Sequence, residues 1–265
     1  MIIRFLTLLT AFITLMSMTA QAGQSVVYKH GNTALEGYWA PSKCIKENPG
    51  KKFPTIVILH QWMGLGGHEK VHANMYANDT SLCYNAFAAD IYGQGIRAAN
   101  THEARKISGQ YKKSAGLAIQ RIQSAIDFVR ALKVVDASKI ALTGYSFGGA
   151  FAIDYARSGG DVNGVVNFYG SPKTRLPKTN PANITAAIEF HHGANDPYVL
   201  ARHINILKDE MAHNSVMFNF YEYEGAVHGF SQKELGNNPS SGLAYNAEAD
   251  ETSWARHLEF LQKVF

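Results

Sequence analysis

The stretch "LTGYSFGGAF" (142–151) holds the serine whose surroundings best suit a nucleophile. Ser146 stands in a G-x-S-x-G pattern, after the apolar run "KIALTGY" (139–145) and before a predicted helix (147–157). A sharp turn between a buried strand and a helix strains the serine backbone and lifts its hydroxyl above the sheet. The pattern alone is a weak signal, because a glycine-rich bend also produces it, so the partners of the serine must decide.

A serine hydroxyl attacks only when a base takes its proton. In this kind of turn the partners usually follow in the order serine, acid, histidine. Of the later histidines, three fall inside predicted helices, while His191 and His192 end a strand before any loop acid. His228, in "EGAVHGF" (224–230), follows the last predicted strand and is the expected base. A loop histidine without a catalytic role is the alternative.

Asp196, in "HHGANDPYV", is the expected acid, because it ends a strand and precedes a proline at a predicted helix start. Glu222 and Glu224 are weaker candidates that lie close to His228 on the same strand end. An Asp-Pro pair also suits a helix N-cap, which is the structural alternative for Asp196. The order of the three residues predicts a Ser-His-Asp triad.

Alternating apolar runs and helical patterns indicate the elements that position this triad. Strands are predicted at 25–30, 34–40, 54–60, 85–93, 139–145, 162–170, 186–193 and 216–223, and helices at about 68–82, 101–133, 147–157, 197–213 and 247–263. The first two strands form an antiparallel pair, and runs such as "PTIVILH" are typical of strands buried on both faces. The alternation predicts an α/β fold with a mostly parallel twisted sheet and helices on both faces.

Residues 1–22 are predicted to be an export signal. The apolar segment "FLTLLTAFITLMSM" (5–18) is too short to span a membrane and is followed by "AQA", a suitable cleavage site. A membrane anchor or a buried N-terminal helix is the alternative. Cleavage would leave one domain, residues 23–265, exported to the periplasm or secreted, with no stable membrane anchor.

The chain has two cysteines, Cys44 and Cys83. In an exported protein such a pair suggests one disulfide, because the compartment is oxidising. Cys44 precedes the first strong strand and Cys83 ends the helix after it, so the two could be neighbours. Two free buried thiols are the alternative.

Charge and histidine placement disfavour two other classes of protein. The formal net charge is +4 with lysines and arginines scattered along the chain, which gives no basic stripe for nucleic acid. A metal site through His191, His192 and His228 is disfavoured because adjacent residues of a strand point to opposite faces. We therefore expect no metal and no nucleic-acid partner, and a small-molecule substrate.

Three motifs, "GYSFGG", "HGANDPYV" and "GAVHGF", resemble those of the dienelactone hydrolase family, a branch of the α/β-hydrolases. The segments "ILHQWMGLGGH", "AADIYGQG" and "AYNAEADETSWARHLEFLQ" extend the resemblance over roughly 25–263. The resemblance implies an α/β-hydrolase fold without a large lid and with no metal or organic cofactor. It also implies hydrolysis of a small carboxylic ester or lactone through an acyl-enzyme.

By position, the resemblance assigns the triad to Ser146, Asp196 and His228, and the oxyanion-hole N–H groups to Phe147 and Trp62. It implies a serine esterase rather than the thiol enzyme of the founding members, which carry cysteine at the nucleophile position.

Two departures from the family concern the substrate. Founding members place a glutamate where this chain has Gln61, and a serine nucleophile does not need it. Gln61 is then expected to hydrogen-bond near the oxyanion hole, with a purely structural role in the loop as the alternative. Founding members also grip a carboxylate with two arginines. Arg97 lies near one of these places, with a solvated loop arginine as the alternative, while Gln232 occupies the other. Half of the carboxylate-binding pair is therefore absent, and dienelactone itself is not the expected substrate.

Aromatic residues near the predicted site suggest an apolar pocket, with membership of the hydrophobic core as the alternative. The residues predicted to bind substrate are Gln61, Tyr92, Arg97, Tyr145 and Phe230. Three other functions fit the same residues: acyl transfer, hydrolysis of amides or peptides, and ligand binding by a protein that has kept the fold without the chemistry.

Overall fold

The structure, a computed structural model, describes residues 23–265. The predicted export signal, residues 1–22, lies outside the described residues and stays a prediction. Within residues 23–265, no helix is both long enough and apolar enough to cross a membrane.

In residues 23–265, eight strands form one sheet and seven helices surround it. The strands are β1 (Gln24–His30), β2 (Thr33–Ala40), β3 (Phe53–Leu59), β4 (Asn85–Ala89), β5 (Val135–Tyr145), β6 (Gly164–Phe168), β7 (Ala187–Gly193) and β8 (Phe218–Tyr223). The helices are α1 (Cys44–Glu47), α2 (Gly67–Asn78), α3 (Thr101–Lys113), α4 (Ala115–Arg130), α5 (Phe147–Arg157), α6 (Ala201–His213) and α7 (Ala247–Val264).

The sheet order is β1-β2-β4-β3-β5-β6-β7-β8. β1 pairs with β2, and β2 with β4, in antiparallel fashion, whereas every pairing from β4 to β8 is parallel. This arrangement confirms the predicted α/β-hydrolase fold. It places the carboxyl ends of the six parallel strands at one edge, where α/β proteins assemble their sites.

The pleat of the strands sends alternate residues into two apolar clusters. In β3, Val57 and Leu59 join a cluster with residues of α4, α5 and α6, while Ile56 and Ile58 join a cluster with residues of α2 and α7. Helices therefore cover both faces, and burial on both sides explains why these strands are apolar throughout.

Several predicted elements are shorter in the structure: α2 ends at Asn78 rather than at about 82, β6 covers Gly164–Phe168 rather than 162–170, and α6 begins at Ala201 rather than at about 197. The helix predicted at 101–133 is divided at Ser114, whose backbone (φ −118°, ψ 57°) leaves the helical region. The strand predicted at 85–93 ends at Ala89. There the Asp90 carboxylate accepts hydrogen bonds from the N–H groups of Tyr92 (2.8 Å) and Gly93 (3.1 Å) and closes a turn.

Cys44 and Cys83 form the predicted disulfide. Cys44 begins α1, and Cys83 lies just before β4. The bond therefore lies at the amino ends of the parallel strands, on the side of the sheet away from their carboxyl ends.

Candidate active site

Ser146 occupies the turn between β5 and α5. Its φ of 50° and ψ of −107° lie outside the regions that a non-glycine residue normally adopts. The tightness of the turn explains Gly144, because a Cβ there would stand 2.4 Å from the backbone carbon of Gly148. The N–H of Ser146 donates to the carbonyl of Phe168 at 2.9 Å, which ties the turn to β6.

Ser146, His228 and Asp196 form a continuous chain of hydrogen bonds. Ser146 Oγ lies 2.8 Å from His228 Nε2, and His228 Nδ1 lies 2.7 Å from Asp196 Oδ2. Since a carboxylate can only accept, Nδ1 carries the ring proton and Nε2 accepts from the serine hydroxyl. The Asp196 side chain is fully buried, whereas 13% of the His228 side chain is exposed.

Asp196 also organises the turn that follows β7. Its Oδ1 accepts hydrogen bonds from the N–H groups of Tyr198 (2.8 Å) and Val199 (3.2 Å). Asp196 therefore has both of the roles that the sequence suggested, a structural cap and a partner of the histidine. One carboxylate oxygen caps the turn, and the other faces His228. The cap belongs to this turn rather than to α6, which begins at Ala201.

The loop around His228 is held by backbone and aromatic contacts. Its N–H donates to Gly242 O at 3.2 Å, and its carbonyl accepts from Ala244 N at 3.3 Å. The imidazole packs edge-on against Tyr169 (5.3 Å) and Tyr198 (5.4 Å between ring centroids). Sequence reasoning named neither tyrosine. Tyr198 could have been found from its place two residues after Asp196, and more than half of its surface is exposed.

Trp62 and Phe147 follow neighbouring strands. Leu59 of β3 pairs with Gly144 of β5, so the chain leaves both strands at the same edge of the sheet. Phe147 is the first residue of α5, and its N–H therefore has no partner within the helix. Among residues 23–265, the backbone N–H groups of Trp62 and Phe147 donate to no protein group. Two donors are thus available beside the serine turn.

The Gln61 side chain turns back onto its own loop. Gln61 Oε1 accepts from the N–H of Met63 at 2.7 Å, and the Gln61 N–H donates to Glu69 Oε1 at 3.3 Å. Burial raises the pKa of Glu69, whose other oxygen accepts from Gly66 N at 2.9 Å. The loop after β3 is therefore fixed from within, and a direct substrate contact by Gln61 stays a prediction.

Arg97 and Gln232, the two positions of the family's carboxylate grip, both have partners within the protein. The Arg97 guanidinium donates to the carbonyls of Leu65 and Ile96 and lies 3.9 Å from Asp90 Oδ1. Gln232 is buried, and its Nε2 donates to Tyr169 Oη at 3.3 Å. Both side chains are therefore tied to neighbouring protein groups, and Gln232 carries no charge that could bind an anion.

Three aromatic residues predicted to bind substrate are almost completely buried. Tyr145 packs against His68 and Phe168 beneath α2, and Phe230 packs against Tyr169. Neither exposes surface to a ligand. Tyr92 is also buried, and its hydroxyl donates to Trp62 O at 2.9 Å. The geometry gives no support to a substrate contact by these three side chains.

One group of described residues could hold a metal ion, and it lies between β7 and α7. Potential ligand atoms of Glu189, His191 and His257 all lie within 4.8 Å of one another, and all three residues are buried. His191 bonds to Glu189 Oε1 (2.9 Å) and to Tyr223 Oη (2.8 Å), and burial lowers its pKa. The group joins β7 to α7 and also serves as an internal hydrogen-bond network.

Comparison with known proteins supports the relationship that the motifs indicate. A model of the dienelactone hydrolase family matches residues 42–265. A putative carboxymethylenebutenolidase of Aquifex aeolicus is 25% identical over 217 residues, which cover 78% of this chain and 87% of the relative. A solved dienelactone hydrolase-like promiscuous phosphotriesterase from metagenomic libraries is 28% identical, with a TM-score of 0.82 over 92% of this chain and 98% of its own. The solved structure of m3DLH is 27% identical, with a TM-score of 0.85 over 93% of this chain and 100% of its own.

Proposed function

Because the chain belongs to the dienelactone hydrolase family and is a carboxylic ester hydrolase, we propose that it cleaves its ester through an acyl-enzyme on Ser146. The observation that carries this proposal is the position of His228, which bonds to Ser146 Oγ (2.8 Å) and to Asp196 Oδ2 (2.7 Å) at once. A base held between a nucleophile and an orienting carboxylate is the arrangement that serine hydrolysis requires.

In the proposed acylation, His228 Nε2 takes the hydroxyl proton while Ser146 Oγ attacks the acyl carbonyl. The imidazolium that forms is stabilised by the buried Asp196 carboxylate, which also fixes the tautomer. His228 then gives the proton to the leaving alcohol, and the tetrahedral intermediate collapses to the acyl-enzyme. A water molecule, deprotonated by the same histidine, releases the acid and restores the serine.

The negative charge of each tetrahedral intermediate falls on the former carbonyl oxygen. The N–H groups of Trp62 and Phe147 are proposed to donate to it, since neither has a partner among residues 23–265. Preorganised donors of this kind typically stabilise a transition state by about 3–4 kcal/mol each. The N-terminus of α5 adds a favourable dipole at the same place.

We propose uncharged esters as substrates. A carboxylate-bearing substrate would need a cationic grip, and Arg97 is engaged by main-chain carbonyls and lies beside Asp90. Tyr198, beside His228, offers an exposed aromatic face, which suits an apolar group. Comparison of a neutral ester with the same ester carrying a free carboxylate tests this point, and the neutral ester should have the higher kcat/KM.

Labelling with a fluorophosphonate, followed by mass spectrometry of the modified peptide, tests the nucleophile. We expect label on Ser146 in the wild type and almost none in His228→Ala. Label on another residue, or ester hydrolysis that survives in Ser146→Ala, would contradict the proposal.

Products formed with added alcohols or amines distinguish hydrolysis from acyl transfer, and peptide substrates test amide cleavage. A folded protein that neither labels nor hydrolyses would indicate a binding protein.

Phosphotriester hydrolysis is a second candidate activity. The solved relative that is 28% identical over 92% of this chain is described as a promiscuous phosphotriesterase. The same serine could attack phosphorus, and the same backbone donors could stabilise the phosphoryl oxygen. Turnover of paraoxon, compared with single labelling by it, distinguishes a phosphotriesterase from an esterase that the compound inhibits.

We also propose that the protein is exported. The Cys44–Cys83 disulfide supports export, because such bonds persist mainly in oxidising compartments. Cell fractionation and N-terminal sequencing of the mature protein test this, with cleavage after Ala22 as the expected result.

A further inference from the structure

We propose that His60 and Tyr92 are positioning residues that aim the Trp62 N–H at the oxyanion. The inference rests on the proposed function, in which that N–H is an oxyanion donor. Its structural basis is that both carbonyl oxygens flanking the Trp62 N–H are held by side chains from the protein interior.

His60 follows the last residue of β3 and is completely buried. The backbone N–H of Ile91 donates to His60 Nε2 at 3.1 Å, which makes that nitrogen the acceptor of the ring. The proton of the neutral imidazole therefore lies on Nδ1, which donates to Gln61 O at 2.6 Å. Burial lowers the pKa of His60 to about 4, so the ring stays neutral near pH 7.

The carbonyl of Gln61 and the N–H of Trp62 belong to one planar peptide group. That peptide is trans, so its C=O and N–H point in opposite directions. A hydrogen bond that holds the oxygen toward His60 therefore directs the N–H away from it. If the bond is lost, the peptide plane can rotate and the donor changes direction.

Tyr92 holds the carbonyl of Trp62, on the other side of the Trp62 Cα from its N–H. Its hydroxyl donates to Trp62 O at 2.9 Å, and its ring packs 4.6 Å from His60 and 5.4 Å from Phe147. The His60 ring is also parallel to that of Phe147, with 6.0 Å between centroids. The backbone N–H of Phe147 is the second proposed donor. The packed rings of His60, Tyr92 and Phe147 therefore support both donors of the oxyanion hole. This role differs from the substrate contact predicted for Tyr92.

Two amide substitutions separate the hydrogen bonds of His60. The amide nitrogen of Asn occupies nearly the position of Nδ1, so His60→Asn can keep the bond to Gln61 O and loses the acceptor for Ile91. The amide of Gln reaches the position of Nε2, so His60→Gln can keep the acceptor and loses the bond to Gln61 O. Each variant loses the ring and one buried hydrogen bond, so we expect similar losses of Tm.

We expect kcat for a neutral ester to be about tenfold lower in His60→Gln than in His60→Asn, with KM of the two within about twofold, because an oxyanion contact acts in the transition state.

Tyr92→Phe should lower kcat by about tenfold to a hundredfold, somewhat less than deletion of a donor. Tyr155→Phe is its matched control, since Tyr155 is equally buried and its hydroxyl bonds to Gln123 (2.7 Å) in α4. Affinity for a trifluoromethyl ketone should fall in parallel with kcat/KM.

Equal kcat in His60→Asn and His60→Gln, or losses of kcat that follow Tm across all four variants, would overturn the inference. If wild-type Ser146 labels with fluorophosphonate and the two His60 variants still have equal kcat, the positioning role fails alone. If wild-type Ser146 does not label, the proposed function fails and the positioning role fails with it.

Discussion

Gly148, in the first turn of α5, lies directly against the carbonyl of Leu59 at the end of β3. A Cβ on Gly148 would stand 2.4 Å from Leu59 O, a distance that real Cβ atoms essentially never show. The contact brings the helix that follows Ser146 against the strand that leads to Trp62. A methyl group at position 148 must therefore move backbone on both sides of the site.

Gly148→Ala is expected to lower the free energy of unfolding by about 1–3 kcal/mol through overpacking, and to lower kcat as well. Gly116→Ala is the matched control. Gly116 is the second residue of α4 and has nothing within 4 Å of its added Cβ, so the change should stabilise the protein by up to about 0.5 kcal/mol. Urea unfolding and ester kinetics of both variants check this, and equal stability of the two would contradict it.

The positive φ at Ser146 predicts that a non-glycine residue at this position, the proposed nucleophile included, lowers the free energy of unfolding. Ser146→Gly and Ser146→Ala should both be inactive, but only glycine adopts a φ of 50° readily. We therefore expect Ser146→Gly to be the more stable of the two by about 1 kcal/mol. Thermal unfolding of the two purified variants measures the difference. A Ser146→Ala protein at least as stable as Ser146→Gly would show that the turn is not strained.

Asp196→Asn should lower kcat by about 10³–10⁴-fold, because an amide can hold His228 in the wrong tautomer. Glu222 and Glu224 are the two exposed acids at the end of β8, shortly before His228. Their substitution, Glu222→Gln or Glu224→Gln, should keep activity within about twofold. Steady-state kinetics of the three variants identify the acid of the triad. A large loss in either glutamate variant would shift the assignment.

Buried neutral histidines predict a loss of stability in acid. Burial lowers the pKa of His60 and of His72 from 6.5 to about 4. Between these values the unfolded chain binds protons that the folded chain does not, so the free energy of unfolding falls as the pH drops from about 6.5 to 4. Each such histidine contributes about 1.4 kcal/mol per pH unit over this interval. Urea unfolding at about pH 7, 6 and 5 should show the decline, and His72→Leu should have a shallower one. Parallel declines in both proteins would refute the assignment to His72.

Reduction of the Cys44–Cys83 disulfide, which spans 39 residues, should lower the free energy of unfolding by about 2–4 kcal/mol. Turnover below the unfolding transition should not change, because the bond lies at the opposite edge of the sheet from Ser146. The double variant Cys44→Ser, Cys83→Ser, assayed with and without reductant, provides the control. A loss of kcat in the folded double variant would show that the disulfide also shapes the site.

The meeting of Ser146, His228 and Asp196 in one hydrogen-bonded chain could be predicted because chain order and strand ends are visible in a sequence. Ser146, Asp196 and His228 each follow an apolar run, and parallel strands bring such positions to one edge. Side-chain direction was harder to predict. Tyr145 adjoins Ser146, yet the pleat of β5 directs its ring beneath α2. The alternation of side chains between the two faces of a strand would have indicated this direction.

Loop partners could not be predicted, because they depend on contacts between distant segments. The Arg97 guanidinium, in the loop after β4, donates to the carbonyl of Leu65 in the loop after β3, and no local pattern indicates that a main-chain carbonyl will be its partner. The role inferred for His60 has the same origin. The sequence shows a polar residue at the end of an apolar strand, but its acceptor and donor partners, Ile91 and Gln61, become visible only in the folded chain.

The proposed catalytic groups follow β3, β5, β7 and β8, the positioning residue Tyr92 follows β4, and none of these residues follows β1 or β2. Recovery of turnover after dilution from denaturant would therefore report on the assembly of the parallel part of the sheet and not on the antiparallel edge. Fluorescence of Trp39, which lies in β2, would report on that edge in a variant that carries Trp62→Phe and Trp254→Phe, because the chain has three tryptophans. Comparison of the two signals would reveal whether the sheet forms in one step or closes from one side.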